Sequence, residues 1–178
     1  MKLKLKSSEN ISITLDEVKQ YLRIVTNEED SLLTTLLLAS TQKAEAIINR
    51  ALSIKTYELY LDKLQTFELP KPPFRTLNSI QVLQNNEYID FNAYKLDDKD
   101  TLAKIIINEI SECEDINCLK VEFECGYEIL PNDIKIWILA TISTLYENRE
   151  QISDVNSYEL PNRFIDSLLD KYKVRYFV

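Results

Sequence analysis

The side chains able to do chemistry in this sequence are mostly carboxylates, and they cluster. Asp97-Asp98-Lys99-Asp100 and Glu112-Cys113-Glu114-Asp115 are runs of hard oxygen donors of the kind that hold magnesium. Glu147 and Glu150 flank Arg149, where an acid pair can do general acid-base work. Each cluster also has a plainer reading. Acidic runs in a loop are ordinarily solvated, and an arginine between two carboxylates holds both ionised, as a salt bridge does. Cys113, Cys118 and Cys125 stand at C-x4-C-x6-C, neither a zinc pair nor a redox C-x-x-C, so burial as thiols in a reducing cytoplasm is expected. The 178 residues include no histidine, which removes Ser-His-Asp, Cys-His and His-ligated metal chemistry together. Gly126 is the single glycine, and both glycine-rich phosphate cradles need several. No catalytic residue, cofactor site or metal ligand is assigned.

A different chemistry sits at the C-terminus. Lys171, Lys173 and Arg175 interleave with Tyr172, Tyr176 and Phe177 before the chain ends at Val178. Rings that stack and cations that meet phosphates suit a nucleic acid, but aromatics and arginine are also the usual anchors of protein interfaces. The whole chain decides between them: 21 Lys and Arg against 29 Asp and Glu give a net charge of −8, the reverse of a phosphate-binding footprint. A protein partner is expected, the bland alternative being the frayed end of a helix. The opening MKLKLKSSEN has no apolar core of about 7 residues, as a signal peptide would. Nothing approaches the roughly 18 apolar residues of a membrane span.

The elements that must position these groups can be read from periodicity. Thr14 and Glu17 form a capping box that opens a short helix to Ile24, and Asn27 to Asp30 supply a cap and first-turn acids for a second, running to about Leu52. From Ile54 the period changes to two, with strands expected at Ile54 to Asp62, Ile80 to Leu83, Tyr88 to Phe91, Lys104 to Asn108 and Leu119 to Cys125. Asn85-Asn86 suits a tight hairpin between two of them, and the proline-rich Leu69 to Phe74 an extended crossing segment. Helical pattern returns after Leu130-Pro131: Ile134, Trp137, Ile138, Leu139, Ile142, Leu145 and Tyr146 leave almost no polar face, as in a helix that a core or an assembly surrounds. A last helix is expected from about Pro161, with Phe164, Ile165, Leu168, Leu169 and Tyr172 on one stripe. The fold class is therefore α+β: a single domain over 1–178, helical at 1–52 and 131–178, whose N- and C-terminal helix pairs form a bundle with an antiparallel β insertion at 54–125.

Several strings in this order also carry a likeness. Leu15-Asp16-Glu17-Val18-Lys19-Gln20-Tyr21-Leu22-Arg23-Ile24 is followed by Glu28-Glu29-Asp30, Ala44-Glu45, Leu69-Pro70, Pro72-Pro73, Gly126-Tyr127, Leu130-Pro131 and Leu145-Tyr146-Glu147-Asn148-Arg149-Glu150. Set out over roughly residues 14 to 150, they make the sequence resemble the head-tail connector, or adaptor, proteins of tailed bacteriophages and gene transfer particles, in the branch with a β insertion. The resemblance implies a structural protein without catalysis: a ring, usually of twelve copies, under the portal of a DNA-filled head, made in the host cytoplasm and carried to the virion head-tail junction. Its implied partners are its own copies, the portal protein and a head-completion or tail protein, with DNA only as passing cargo and no membrane. The implied interface comprises Tyr146, Glu147, Arg149 and Glu150 with Lys171, Lys173, Arg175, Tyr176, Phe177 and Val178. Net negative charge suits a DNA conduit, because repulsion keeps the duplex from sticking. A cytoplasmic protein-interaction module and, further off, a magnesium-dependent hydrolase using the surface carboxylates are the alternatives.

Overall fold

Thr14 opens the first helix as its sequence dictates. Its hydroxyl accepts the Glu17 N–H at 3.2 Å while the Glu17 carboxylate accepts the Thr14 N–H at 3.0 Å, a reciprocal cap that stabilises the helix by about 1 kcal/mol. Helix α1 spans Leu15–Leu22 and ends at Arg23, whose backbone is left-handed. In this computed structural model, which describes residues 1–9, 11–84, 86–107, 118–147 and 163–174, the chain divides into two compact units. One comprises Ile11–Leu52 with Ile129–Val178, the other Met1–Asn10 with Ser53–Glu128.

The first unit is helical. Helix α2 spans Asp30–Ile48 and starts later than Asn27 suggested: its N-cap is Glu29, with no side-chain cap bond, because the Asn27 amide oxygen is taken by the Lys19 ammonium. It also stops before Leu52, at Asn49, a residue type that tolerates the left-handed turn closing a helix. Helix α3 spans Asn132–Glu147 and α4 only Arg163–Ser167. The long last helix expected from Pro161 is thus corrected. The N–H groups of Leu168 and Leu169 bond to Ile165 and Asp166, three residues back, and the tightened chain passes into a 3-10 turn at Asp170–Tyr172. Helix α1 contacts α2 and α3, α2 contacts α3, and α3 contacts α4. Val18, Leu33, Ala44, Ile48, Ile134, Ile138, Ile142 and Leu169 are fully buried. The nearly all-apolar α3 buries Trp137 and Leu139 as well, but leaves Ile136 and Leu145 exposed.

The second unit is antiparallel β. Strands β1 (Lys2–Ser8), β2 (Lys55–Leu61), β4 (Phe74–Gln84), β5 (Glu87–Asp90) and β8 (Leu119–Cys125) form one sheet in the order β1-β2-β8-β4-β5. Strands β3 (Phe67–Glu68), β7 (Lys104–Ile107) and β6 (Tyr94–Asp97) form a second, in the order β3-β7-β6. Strand β1 lies within the stretch expected to be helical. Its Lys-Leu-Lys-Leu-Lys alternation is period two, and it pairs with β2 as Leu3↔Leu59 and Leu5↔Tyr57. The hairpin forms where Asn85-Asn86 placed it, with Gln84 opposite Glu87 and Asn86 at φ 67°. Cys125 is a buried thiol, whereas Cys118 is disulfide-bonded, which corrects the expectation of thiols throughout: C-x4-C-x6-C spacing does not report which sulfurs the fold brings together. Among the described residues no helix is long and apolar enough to cross a membrane.

Register sorts the large sheet into an apolar and a charged face. Leu59, Ile80, Val121 and Phe123 share the buried face. On the other, Glu58 accepts from Tyr60 at 2.9 Å and pairs with Lys120 at 3.1 Å, while Lys6 reaches Glu122 at 2.6 Å and Arg75 reaches Glu124 at 3.0 Å. The Tyr60 hydrogen bond, ahead of the nearby lysines, holds the Glu58 carboxyl below its usual range. Burial, then the bond to Glu58, raises the Tyr60 phenol to about 12. A raised folded-state pKa means that this contribution is complete below about pH 10, the unfolded value, and is lost as pH climbs through 12. Spectrophotometric titration is therefore expected to show a tyrosine ionising near pH 12 in the folded protein and near 10 in urea. Ionisation of every tyrosine by pH 11 without unfolding would contradict the Tyr60–Glu58 bond.

Candidate functional site

The described residues among those of the sequence-predicted interface, Tyr146, Glu147, Lys171 and Lys173, fall at two places in the helical unit. Tyr146 and Glu147 sit in the last turn of α3. The Tyr146 hydroxyl donates to the Glu29 carboxylate at the start of α2, so this ring is half-buried and committed to joining two helices. Glu147 is exposed and accepts from the Ser143 hydroxyl one turn back, at 3.2 Å. Arg149 and Glu150 lie outside the described residues, so the acid pair flanking Arg149 has no geometry to report.

The C-terminal segment divides at Val174. Lys171 pairs with Asp133 in the first turn of α3 and stands 5.1 Å from the centre of the Tyr172 ring. The Asp133 hydrogen bond raises the Lys171 pKa above its ordinary value. Lys173 pairs with Asp170 at 2.7 Å. Two longer-range hydrogen bonds then fasten the backbone to the end of α2: Arg50 Nε donates to the Tyr172 carbonyl at 2.6 Å, and the Val174 N–H to the Ile48 carbonyl at 3.0 Å. The Ile48 carbonyl is an orphan acceptor of the kind a helix C-terminus always leaves, and Val174 satisfies it. Lys171 and Lys173 are thus each ion-paired within the chain, whereas Arg175, Tyr176, Phe177 and Val178 lie outside the described residues.

A cleft that the sequence reading missed opens beside α3. It holds about 170 Å³ and is lined by Lys43, Trp137, Ala140, Thr141, Thr144, Leu145, Ile165 and Asp166. The Trp137 indole N–H donates to Asp166 at 3.2 Å and fixes one wall. Periodicity places Trp137 in the core, which it is, and no local signal marks Lys43 or Asp166 as its neighbours. Elsewhere on this unit Val25 is 93% exposed and Ile129 84%, apolar surface left open to water.

The carboxylate runs stay apart from all of this. Asp97 ends β6, and Asp98 and Asp100 are in the loop that follows. Glu112-Cys113-Glu114-Asp115 is outside the described residues. Among the described residues no three His, Cys, Asp or Glu side chains gather as a metal site.

The comparisons with known proteins agree with the sequence resemblance. Residues 12–88, from α1 through the β4–β5 hairpin, match the family profile described as phage gp6-like head-tail connector protein. No curated protein matches by sequence. Among solved structures, the chain is similar over 100% of its length to a chain of the virion of a native gene transfer agent particle, at 16% identity, 98% coverage of that chain and a TM-score of 0.74. It is similar over the same span, at 16% identity, 98% coverage and a TM-score of 0.76, to a chain from the neck of an empty particle computed with C6 symmetry. A chain from the neck of a native particle computed with C12 symmetry matches 98% of this chain and 97% of its own length at 14% identity and a TM-score of 0.68. The fold is therefore shared by chains of a particle neck, and both units, including the β insertion, take part in the likeness.

Proposed function

We propose that this chain is a head-tail connector: one subunit of a ring of twelve copies seated beneath the portal of a phage or gene-transfer particle, joining the filled head to head-completion and tail proteins. The observation that carries the reading is the connector-family match over residues 12–88, to which the full-length likeness to neck chains adds the rest of the fold. The C12 symmetry of one neck supports the copy number. In this reading the chain is a single connector domain, the α1–α2 and α3–α4 pairs form its bundle, and the β unit, apart from β1 ahead of α1, is an insertion between them. Catalysis has no part, the site of action is the head-tail junction after synthesis in the host cytoplasm, and DNA is cargo repelled by a charge of −8 per copy. The exposed Val25 and Ile129 are surface for neighbours to cover. Tyr146, Glu147, Arg149 and Glu150 contribute to a subunit or portal interface together with Lys171 and Lys173, and the end of the chain, Arg175 to Val178, is the portal anchor.

The test is assembly on the portal. Mixed with its portal and analysed by native mass spectrometry, the protein is expected to join a ring of matching symmetry. A monomer alone, with portal present at high concentration, would overturn the proposal.

A further inference from the structure

The five-stranded sheet ends in two edges of opposite charge. At one edge β1 presents Lys2 and Lys4 on the charged face and Leu5, 55% exposed, on the apolar face. At the other, all four residues of β5 are exposed: Asp90 lies on the charged face, Ile89, 44% exposed, on the apolar face, and Glu87 at the hairpin end. An edge strand carries backbone groups that its own sheet does not bond, and proteins commonly guard such edges with charge. A guard against all pairing would put one sign on both edges. Opposite signs do something narrower: they disfavour β1 against β1 and β5 against β5 while favouring β1 against β5. That excludes the self-complementary contact of a two-fold dimer and selects the head-to-tail contact, which closes into rings.

We infer that β5 of one copy pairs with β1 of the next, making the β sheets of the assembly continuous from subunit to subunit. The occupant of each edge is thus a second copy of this chain. Successive strands of the sheet are antiparallel, so in the order β1-β2-β8-β4-β5 the two outer strands run the same way, and a continuous sheet joins them in parallel. Parity also agrees. With both copies facing alike, Lys2 and Lys4 share the face of Asp90, and Leu5 shares the face of Ile89. Lys6, engaged with Glu122 in its own sheet, is not needed.

This inference rests on the ring reading, and a charge swap separates the two. Lys2→Glu with Lys4→Glu makes both edges acidic; Glu87→Lys with Asp90→Lys makes both basic. On portal, each variant alone is expected to need about tenfold more protein per junction to assemble. An equimolar mixture of the two should restore the ring with strictly alternating copies, visible as a single subunit stoichiometry in native mass spectrometry. Circular dichroism checks that each variant is folded. If the reversal unfolds either one, the neutral pair Lys2→Gln with Lys4→Gln replaces it, and assembly must then weaken measurably. Folded variants that assemble like the unaltered protein, or a mixture that restores nothing, overturn the edge pairing while leaving the ring intact as a reading. Failure of the unaltered protein to form any ring overturns both.

Discussion

Gly126→Ala is expected to destabilise the β unit by about 2–6 kcal/mol, summing the costs of a disallowed backbone and of an overpacked site. Gly126 follows β8 directly, at φ 117°, a conformation that residues with a Cβ rarely adopt. An added methyl would also lie 1.9 Å from the Ser53 carbonyl oxygen, a backbone atom with no rotamer by which to move aside. Nor can the strand end easily shift, because the Gly126 N–H is held by the Pro73 carbonyl at 2.8 Å and neighbouring Cys125 is fully buried between Lys55 and Phe74 in register. At about 2–4 °C per kcal/mol for a chain of this size, melting should fall on the order of 10 °C. Thermal denaturation followed by circular dichroism measures it. A change under about 1 kcal/mol would show that the Ser53 peptide can give way, and that this glycine is not required by the fold.

Which parts of the molecule were legible beforehand follows from where the determining interactions lie. The capping box of Thr14 and Glu17 is local, four residues long, and formed as read. Strand β8 alternates so cleanly that its bounds, Leu119–Cys125, match the expectation residue for residue. Asn49 was a local signal overlooked: an asparagine after a helical stripe is a natural left-handed stop, but the apolar pattern through Ala51 and Leu52 masked it. Strand β1 failed differently. Its alternation is plain, but three of its seven residues are lysines, and a charged edge strand becomes one only when β2 is there to pair with it. The last helix failed because Leu168 and Leu169 continue an apolar stripe that suits either an α-helix or a docked turn, and only the α2 terminus, some 120 residues earlier, decides between them. The cleft around Lys43, Trp137 and Asp166 is likewise assembled from three helices and has no local signature.

That long-range docking of the C-terminal segment sets the last expectation, because it lets the bonds that end at Val174 be tested apart from the residues after it. Leu169 is fully buried, so Leu169→Ala should cost about 2–5 kcal/mol, the range for removing a core leucine side chain. Deleting the chain from Leu169 onward should cost more, since it also takes the Val174 N–H from Ile48 and the Tyr172 carbonyl from Arg50. Deleting only Arg175 to Val178 removes none of these bonds, and the melting temperature should stay within about 2 °C of the full chain, less than 1 kcal/mol. The proposed portal anchor then makes a demand that stability does not. Loss of Tyr176 and Phe177 should weaken binding to portal-bearing heads tenfold or more, since one aromatic anchor is worth about 2 kcal/mol and tenfold needs only about 1.4. Pull-down on such heads, set beside the melting curve of the same truncated protein, decides it. Full binding by the folded truncation would move the anchor elsewhere, to Glu147 at the end of α3 or to Arg149 beyond it in sequence. Unfolding of the truncation would instead make Tyr176 and Phe177 core residues, an extension of the docking that Leu169 begins.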